Sequence, residues 1–413
     1  MGSTEKPSWL AKAEHKRALQ AAAIDAFLSE HPPDAQEQLI QSITEIDDIE
    51  ELLTRISTRA VSAADVAVAY IQSLTEVLFD DAVRRAKELD EHLAATGKPI
   101  GPLHGLPVTL KDQFDIKGYD STIGQMGAII VAKTNLPQSI MSGRLPYQNV
   151  TVSTDGQEHV PSVIGPLARS LSSLRFVTKA VVDAAPWDYD PKVVPLPWRA
   201  DVEEQIQSRS LVIGLLVDDG VVKVHPPVER VVKEAAPKDQ FYTADGGEDI
   251  RREVLAGGEP YIPHVEALVN RGQPISVYEY WQLNKLKHEQ QKRYVDKWNT
   301  VRSPSGRKVD LLLTPVMPHP AVPHRGCRWV GYTKVWNFLD YSAVVLPGGA
   351  VDKSLDAKVD YAPRNELDKW NWNLYDPESM DGMPVGVQIV GRKLEEEKVL
   401  GAAKVVEAVL KGQ

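Results

Sequence analysis

The chain is almost without cysteine: its 413 residues include one, Cys327. A single thiol cannot close an internal disulfide or supply the several thiolates of a zinc cluster. The lack of disulfides fits a reducing compartment, and a cytoplasmic location is the expectation. Long hydrophobic runs are missing too. No stretch approaches the roughly 20 apolar residues that a membrane helix needs. The opening "MGSTEKPSWL" has no apolar signal core, Lys6 breaks the myristoylation pattern, and the closing "LKGQ" is not a sorting address. Positive charge is in short supply, with 47 Lys and Arg against 57 Asp and Glu. The resulting net charge of −10 argues against nucleic acid and anionic membrane as partners. Internal repeats, low-complexity tracts, phosphate loops and dinucleotide fingerprints are also absent.

What is there falls into two textures. Residues 1–97 read as a helical region with polar outer faces. "SWLAKAEHKRALQAAAIDAFLSE" (8–30) is rich in Ala and Leu and free of Pro and Gly, and "HPP" stops it. "SITEIDDIEELLTRIS" (42–57), "SAADVAVAYIQSL" (62–74) and "FDDAVRRAKELDEHLAATGK" (79–98) read as three further helices. Ser62 with Asp65 supplies an N-terminal cap, and Gly97 a stop.

Beyond residue 100, short apolar runs alternate with Gly and Pro. "LPVTL", "AIIVAKTN", "LVIGLLVDDG", "VDLLLTPV", "YSAVVLP" and "PVGVQIVGR" are buried-strand candidates. Helical stretches such as "LSSLRFVTKAVVDAA" and "EYWQLNKLKHEQQKRYVDKWN" lie between them, and "AAPWDYDPKVVPLPW" (184–198) reads as an extended connector. Alternating strands and helices indicate an α/β fold with helices packed on a sheet. The expected organisation is a helical region at 1–97 packing on an α/β domain at 98–413, one structural unit overall.

Lys111 stands directly after the apolar run "PVTL" and beside Asp112 and Asp115. It can be a structural lysine paired with those carboxylates. It can also be a base whose pKa burial has lowered, which would need a nucleophile within hydrogen-bond reach. Ser121, Ser139 and Ser142 follow, but none sits in a Gly-rich turn that exposes a nucleophile and offers N–H donors to an oxyanion. They read as turn or capping serines, and Ser170, Ser172 and Ser173 as the cap of a helix. A dyad of Cys327 with His324 is conceivable, though closeness in sequence is poor evidence for it. His319 and His324 are too few and too isolated to suggest a metal site.

The stretch "GPLHGLPVTLKDQFDIKG" resembles the amidase signature family, its fungal acetamidase-like members in particular. "AKTNLPQS", "EHVPSVIGPLARSLSSL", "PWDYDPKVVPLPW", "EPYIPHVE", "GYTKVWNFLDY" and "DGMPVGVQIVGR" extend the resemblance from about residue 40 to the C terminus. The resemblance implies an amidase-signature-like mixed sheet flanked by helices. It implies hydrolysis of a linear carboxamide to a carboxylate and ammonia through a Ser–Ser–Lys triad. Lys111 takes the place of the lysine. A small-molecule amide is the implied partner, with no metal and no organic cofactor; a homo-oligomer is left open.

The family's Gly/Ser-rich segment, which carries both serines and the oxyanion donors, has no match here. "AKTNLPQSIM" runs straight into "SGRLPY", with the junction between Met141 and Ser142. Smaller segments have no match near Gln72–Ser73, Ala128–Ile129 and Ala236–Pro237. The core is therefore expected to be incomplete. Three readings follow: an incomplete version of an amidase, a catalytically inactive remnant or binding protein that keeps the family shell, or an active protein with a site rebuilt on Ser139, Ser142 or Cys327.

Overall fold

The computed structural model describes residues 8–32, 37–71, 79–111, 114, 138–140, 143–148, 150, 156–160, 162–229, 245, 247–270 and 272–411. The chain divides into two compact units. One comprises residues 1–132, 149–155 and 248–266; the other comprises 133–148, 156–247 and 267–413. Among the described residues no helix is long and apolar enough to cross a membrane.

The first unit contains α1 (Ser8–Glu30), α2 (Glu37–Thr44), α3 (Ile49–Ser57), α4 (Ala63–Ile71) and α5 (Phe79–Thr96). The single helix expected over 42–57 is two. Asp48 sits in extended backbone and its carboxylate accepts from the amides of Glu50 and Glu51 at 2.8 and 3.4 Å. Capping chemistry at the "IDD" step thus outweighs the continuous apolar pattern and starts a new helix. Ser62 and Asp65 cap α4 reciprocally, as expected. Asp90 of α5 adds a tertiary cap, accepting from the amides of Ala63 and Ala64 at 2.7 and 3.0 Å. Ile43, Leu52, Ile56 and Val66 bury the inner faces of these helices.

The second unit holds a five-stranded sheet. Its strands are β1 (Gln138–Ile140), β2 (Ile213–Leu215), β3 (Leu311–Pro315), β4 (Ala343–Ala350) and β5 (Pro384–Val390). Their order across the sheet is β1-β4-β5-β3-β2. The β2–β3 pair is parallel and the other three pairs are antiparallel, so the sheet is mixed. Four of the expected apolar runs contribute β2 to β5, while β1 falls in "PQSI", where no strand was expected. "AIIVAKTN" lies outside the described residues, as do Gln72–Ser73, Met141–Ser142 and Ala236–Pro237. "LPVTL" corrects the expectation, because residues 106–110 form no strand. Val108 and Leu110 are 64% and 53% exposed. An apolar run becomes a buried strand only where another strand offers it a ladder and another layer covers its face.

Helices cover both faces. The unit adds α6 (Leu171–Asp183), α7 (Ala200–Gln207), α8 (Val277–Thr300), α9 (Gly331–Leu339), α10 (Glu366–Leu374) and α11 (Glu396–Leu410). On one face Val344, Leu346, Val387 and Ile389 pack with Leu174 of α6, Ile206 of α7 and Val399 of α11. On the other, Ala343 and Val390 pack with Trp336 of α9 and Trp298 of α8. The period-2 alternation along β4 and β5 sends successive side chains to these two layers. Ser170 caps α6 by accepting from the amide of Ser173 at 3.1 Å, the role expected of it. Ser276 and Glu279 form a capping box that starts α8 two residues before the expected stretch.

Candidate functional site

Lys111 is reached from a tight turn. The amide of Ile100 donates to Nδ1 of His104 at 3.1 Å, and the amides of His104 and Leu106 close short turns onto Gly101 and Leu103. Gly105 has φ +79°, and a Cβ there would meet Cβ of Ala63 at 2.9 Å. Glycine is therefore required both by the backbone and by the close approach to α4. From this anchor the chain runs without regular secondary structure to Lys111, whose side chain is exposed and whose carbonyl accepts from the amide of Phe114 at 3.0 Å. Asp112, Asp115, Ser121 and Ser142 lie outside the described residues. Ser139 sits in β1, opposite Val344.

The Cys327 and His324 pair lies in the second unit. Cys327 is half-buried, its thiol reaches toward the Trp329 carbonyl at 4.0 Å, and burial pushes its pKa up. That direction disfavours the thiolate a Cys–His nucleophile needs. His324 is exposed beside Arg325, which has φ +65°.

A cavity of about 240 Å³ opens where β3 and β4 end and β5 begins. Val228, Val316, Met317, Val345, Leu346 and Val385 make its walls apolar, and His319 lines it as well. The end of a sheet, where strands give way to loops, is a common place for a ligand. Behind His319 lies His225, fully buried, with the two rings 6.1 Å apart and tilted by 51°. Nε2 of His225 donates to the Asn371 carbonyl at 2.7 Å, and Nδ1 of His319 to the Pro320 carbonyl at 2.8 Å. Burial pushes both pKa values down, that of His225 to about 3, so both rings are neutral at physiological pH. Nδ1 of His225 and Nε2 of His319 are left buried without a partner. His225 carried no signal in the sequence; only the packing of the "HPP" turn at 225–227 beside "MPHP" pairs the two rings.

At the opposite end of β4 and β5 a charged cluster fixes the segment that follows the Met141–Ser142 junction. Arg144, 1% exposed, donates to Glu397 at 2.5 Å and to the Leu196 carbonyl, and lies 3.3 Å from Glu396. Arg199 joins Glu397 at 2.6 Å, and Ser342 donates to Glu396 at 2.6 Å. Burial raises the Glu396 carboxyl to about 7, against the pull of Ser342 and Arg144 in the other direction. Asp190 holds the same segment by accepting from the amides of Tyr147 and Gln148 at 2.6 and 2.9 Å. Among the described residues no three His, Cys, Asp or Glu side chains converge as a metal site would require.

The family model described as Amidase matches residues 55–126, 141–238 and 257–400. The chain belongs to the amidase family. It is 41% identical to "Amidase 1" of Gibberella moniliformis, with 98% of this chain and 99% of that protein covered. It is 30% identical to the acetamidase of Emericella nidulans, covering 87% and 88%. Its fold is similar to that of a solved fatty acid amide hydrolase, with a TM-score of 0.83, 22% identity, and 98% and 95% of the two chains covered. The alignment with the Gibberella protein runs over 523 positions, more than this chain's 413 residues, so it contains gaps on this side. The family match itself stops at residue 126 and resumes at 141.

Proposed function

We propose that the chemistry of this amidase is hydrolysis of a linear carboxamide to a carboxylate and ammonia, with Lys111 as the base. In that reaction a lysine amine takes the proton of a bridging serine. The bridging serine in turn deprotonates a second serine, which attacks the amide carbon. Ammonia leaves with a proton returned along the same relay, and water resolves the acyl-enzyme. The observation that carries the reading is the full-length similarity to amidases together with the "PVTLKD" motif that holds Lys111.

Both serines and the oxyanion donors belong to the segment that has no match at the Met141–Ser142 junction. One oxyanion donor contributes about 3–4 kcal/mol to lowering the barrier. A chain without donors and nucleophile is expected to hydrolyse amides no faster than background. The working form would then carry a Gly/Ser-rich segment between those two codons. Sequencing the transcript across the junction tests this directly. An insert restores the triad, and Lys111→Ala in that form should remove ammonia release. A transcript that joins Met141 to Ser142 without an insert refutes this reading.

A second reading is favoured by the cavity at the end of β3, β4 and β5, which is built from described residues alone. The chain would then be an inactive binder of small amides that keeps the family shell. Calorimetric titration with short aliphatic amides, with no ammonia released, would support it. No heat of binding at millimolar amide would reject it.

A further inference from the structure

The cavity at the end of β3, β4 and β5 is a gap in the cover of one sheet face. Thr314 and Val345 are both paired with Gln388, so the three share a face. Two residues further along, the same face carries Gly386 of β5, Pro347 of β4 and, just past β3, Val316. Thr314 and Gln388 are fully buried. Val316, Val345 and Gly386 are only half-buried, although β3, β4 and β5 are the inner strands of the sheet. All three line the cavity.

Gly386 decides how much room there is. A Cβ there would meet Cγ2 of Val316 at 3.2 Å and Cγ1 of Val345 at 3.5 Å, so a side chain would grow between two walls of the cavity. Its φ is not positive, so the backbone does not call for a glycine. A glycine inside a strand weakens the strand and marks a place where something else comes close. The lining also selects by charge. Among the described residues no Lys, Arg, Asp or Glu lines the cavity, and burial keeps His319 neutral at physiological pH. A carboxylate or an ammonium would lose its hydration there and meet no opposite charge. An apolar cavity of about 150 Å³ holds the six carbons of benzene. Scaled to the about 240 Å³ found here, that is room for roughly nine heavy atoms, an amide of about six to seven carbons.

The reading of the chain as a binder of small amides is presupposed. Beyond it, we propose that the cavity selects uncharged linear aliphatic amides by length, with Gly386 setting the limit at about six to seven carbons. The chain lies against the valines, and each methylene that enters is removed from water. A longer chain reaches solvent again and gains nothing more. The corresponding carboxylate, which is the product of amide hydrolysis, is excluded by its charge.

The test is a calorimetric titration of the full chain at pH 7 with the linear amides from propanamide to octanamide, and with hexanoate. Affinity should rise about fourfold per methylene up to heptanamide and then level off. Hexanoate should bind more than about a hundredfold more weakly than hexanamide. Gly386→Val, which puts three carbons into the cavity, should weaken hexanamide more than about tenfold and propanamide less than about twofold. Val345→Ala should act the other way, so that octanamide binds more tightly than heptanamide. Should Gly386→Val fail to fold, Val345→Ala and hexanoate decide. Affinity independent of chain length, hexanoate bound as tightly as hexanamide, undiminished hexanamide binding by folded Gly386→Val, or an unmoved limit in Val345→Ala would overturn the length selection while amide binding stood. No binding of any amide at millimolar concentration would overturn both.

Discussion

The two ends of the β4–β5 pair bury polar groups in opposite ways. At the end where β4 begins, Arg144, Arg199, Glu396 and Glu397 meet as two cations and two carboxyls that pair by charge across three separate segments, although Nε of Arg144 and Oε2 of Glu396, 3.3 Å apart, make no hydrogen bond. At the end where β5 begins, His225 and His319 are buried as neutral rings, each satisfied on one nitrogen only. Burial is similar at both ends, so burial alone does not decide what a polar group can do. The difference is whether the chain supplies the partner. Where it does, the cluster is a clamp. Where it does not, a ring nitrogen stays buried without a donor.

The largest break in this comparison is Glu397→Ala. It leaves Arg144 buried beside a carboxyl that is itself raised toward neutrality, and deprives Arg199 of its partner. Removing one member of a buried ion pair costs about 3–5 kcal/mol. Urea unfolding at pH 7 should show a loss of that order, and a loss below about 1 kcal/mol would mean the cluster is not a clamp.

A pH series sharpens the contrast, because the two ends carry opposite signs. His225 has a folded pKa of about 3 against an ordinary value of 6.5. Its neutral form is favoured by folding, so the stability tied to it is present above about 6.5 and is lost as pH falls toward 3. His319 and His104 are shifted in the same direction. Glu396 has a folded pKa of about 7 against 4.5. Ionising it costs the folded state, so stability declines as pH rises from 4.5 through 7. In the unsubstituted chain the two trends oppose each other between pH 4.5 and 6.5. Glu396→Gln should expose the acid loss, and His225→Gln should expose the decline toward neutral pH. Each pH unit of uncompensated titration is worth up to about 1.4 kcal/mol. Parallel profiles for the two variants would reject the assignment.

The smallest expected effect is Lys111→Ala. Lys111 is exposed, and substitutions at such positions usually change stability by less than about 0.5 kcal/mol. Urea unfolding that shows a loss above about 2 kcal/mol would mean that Lys111 is a structural ion pair rather than a side chain kept for chemistry.

Much of the architecture was legible because it rests on local chemistry. Ser170, Ser62 with Asp65, and Gly97 marked helix ends that a few neighbouring atoms decide. The runs that became β3, β4 and β5 were legible from apolar content bounded by Gly and Pro. Two local signals misled. The apolar period across 42–57 masked the Asp48 cap, and "LPVTL" has strand composition without a ladder. In both cases the deciding atoms were hydrogen-bond partners, which periodicity does not count.

The sequence by itself determined the α/β class, the family and several helix starts, since each depends on residue type at short range or on a linear motif. Tertiary structure alone decided that Asp90 caps α4 from another helix. It alone decided that Arg144 is clamped to α11 across more than two hundred residues of chain, and that His225 lies beside His319. These contacts join residues distant in sequence, and no local pattern encodes a distance that only the closing of the sheet and its helical layers sets.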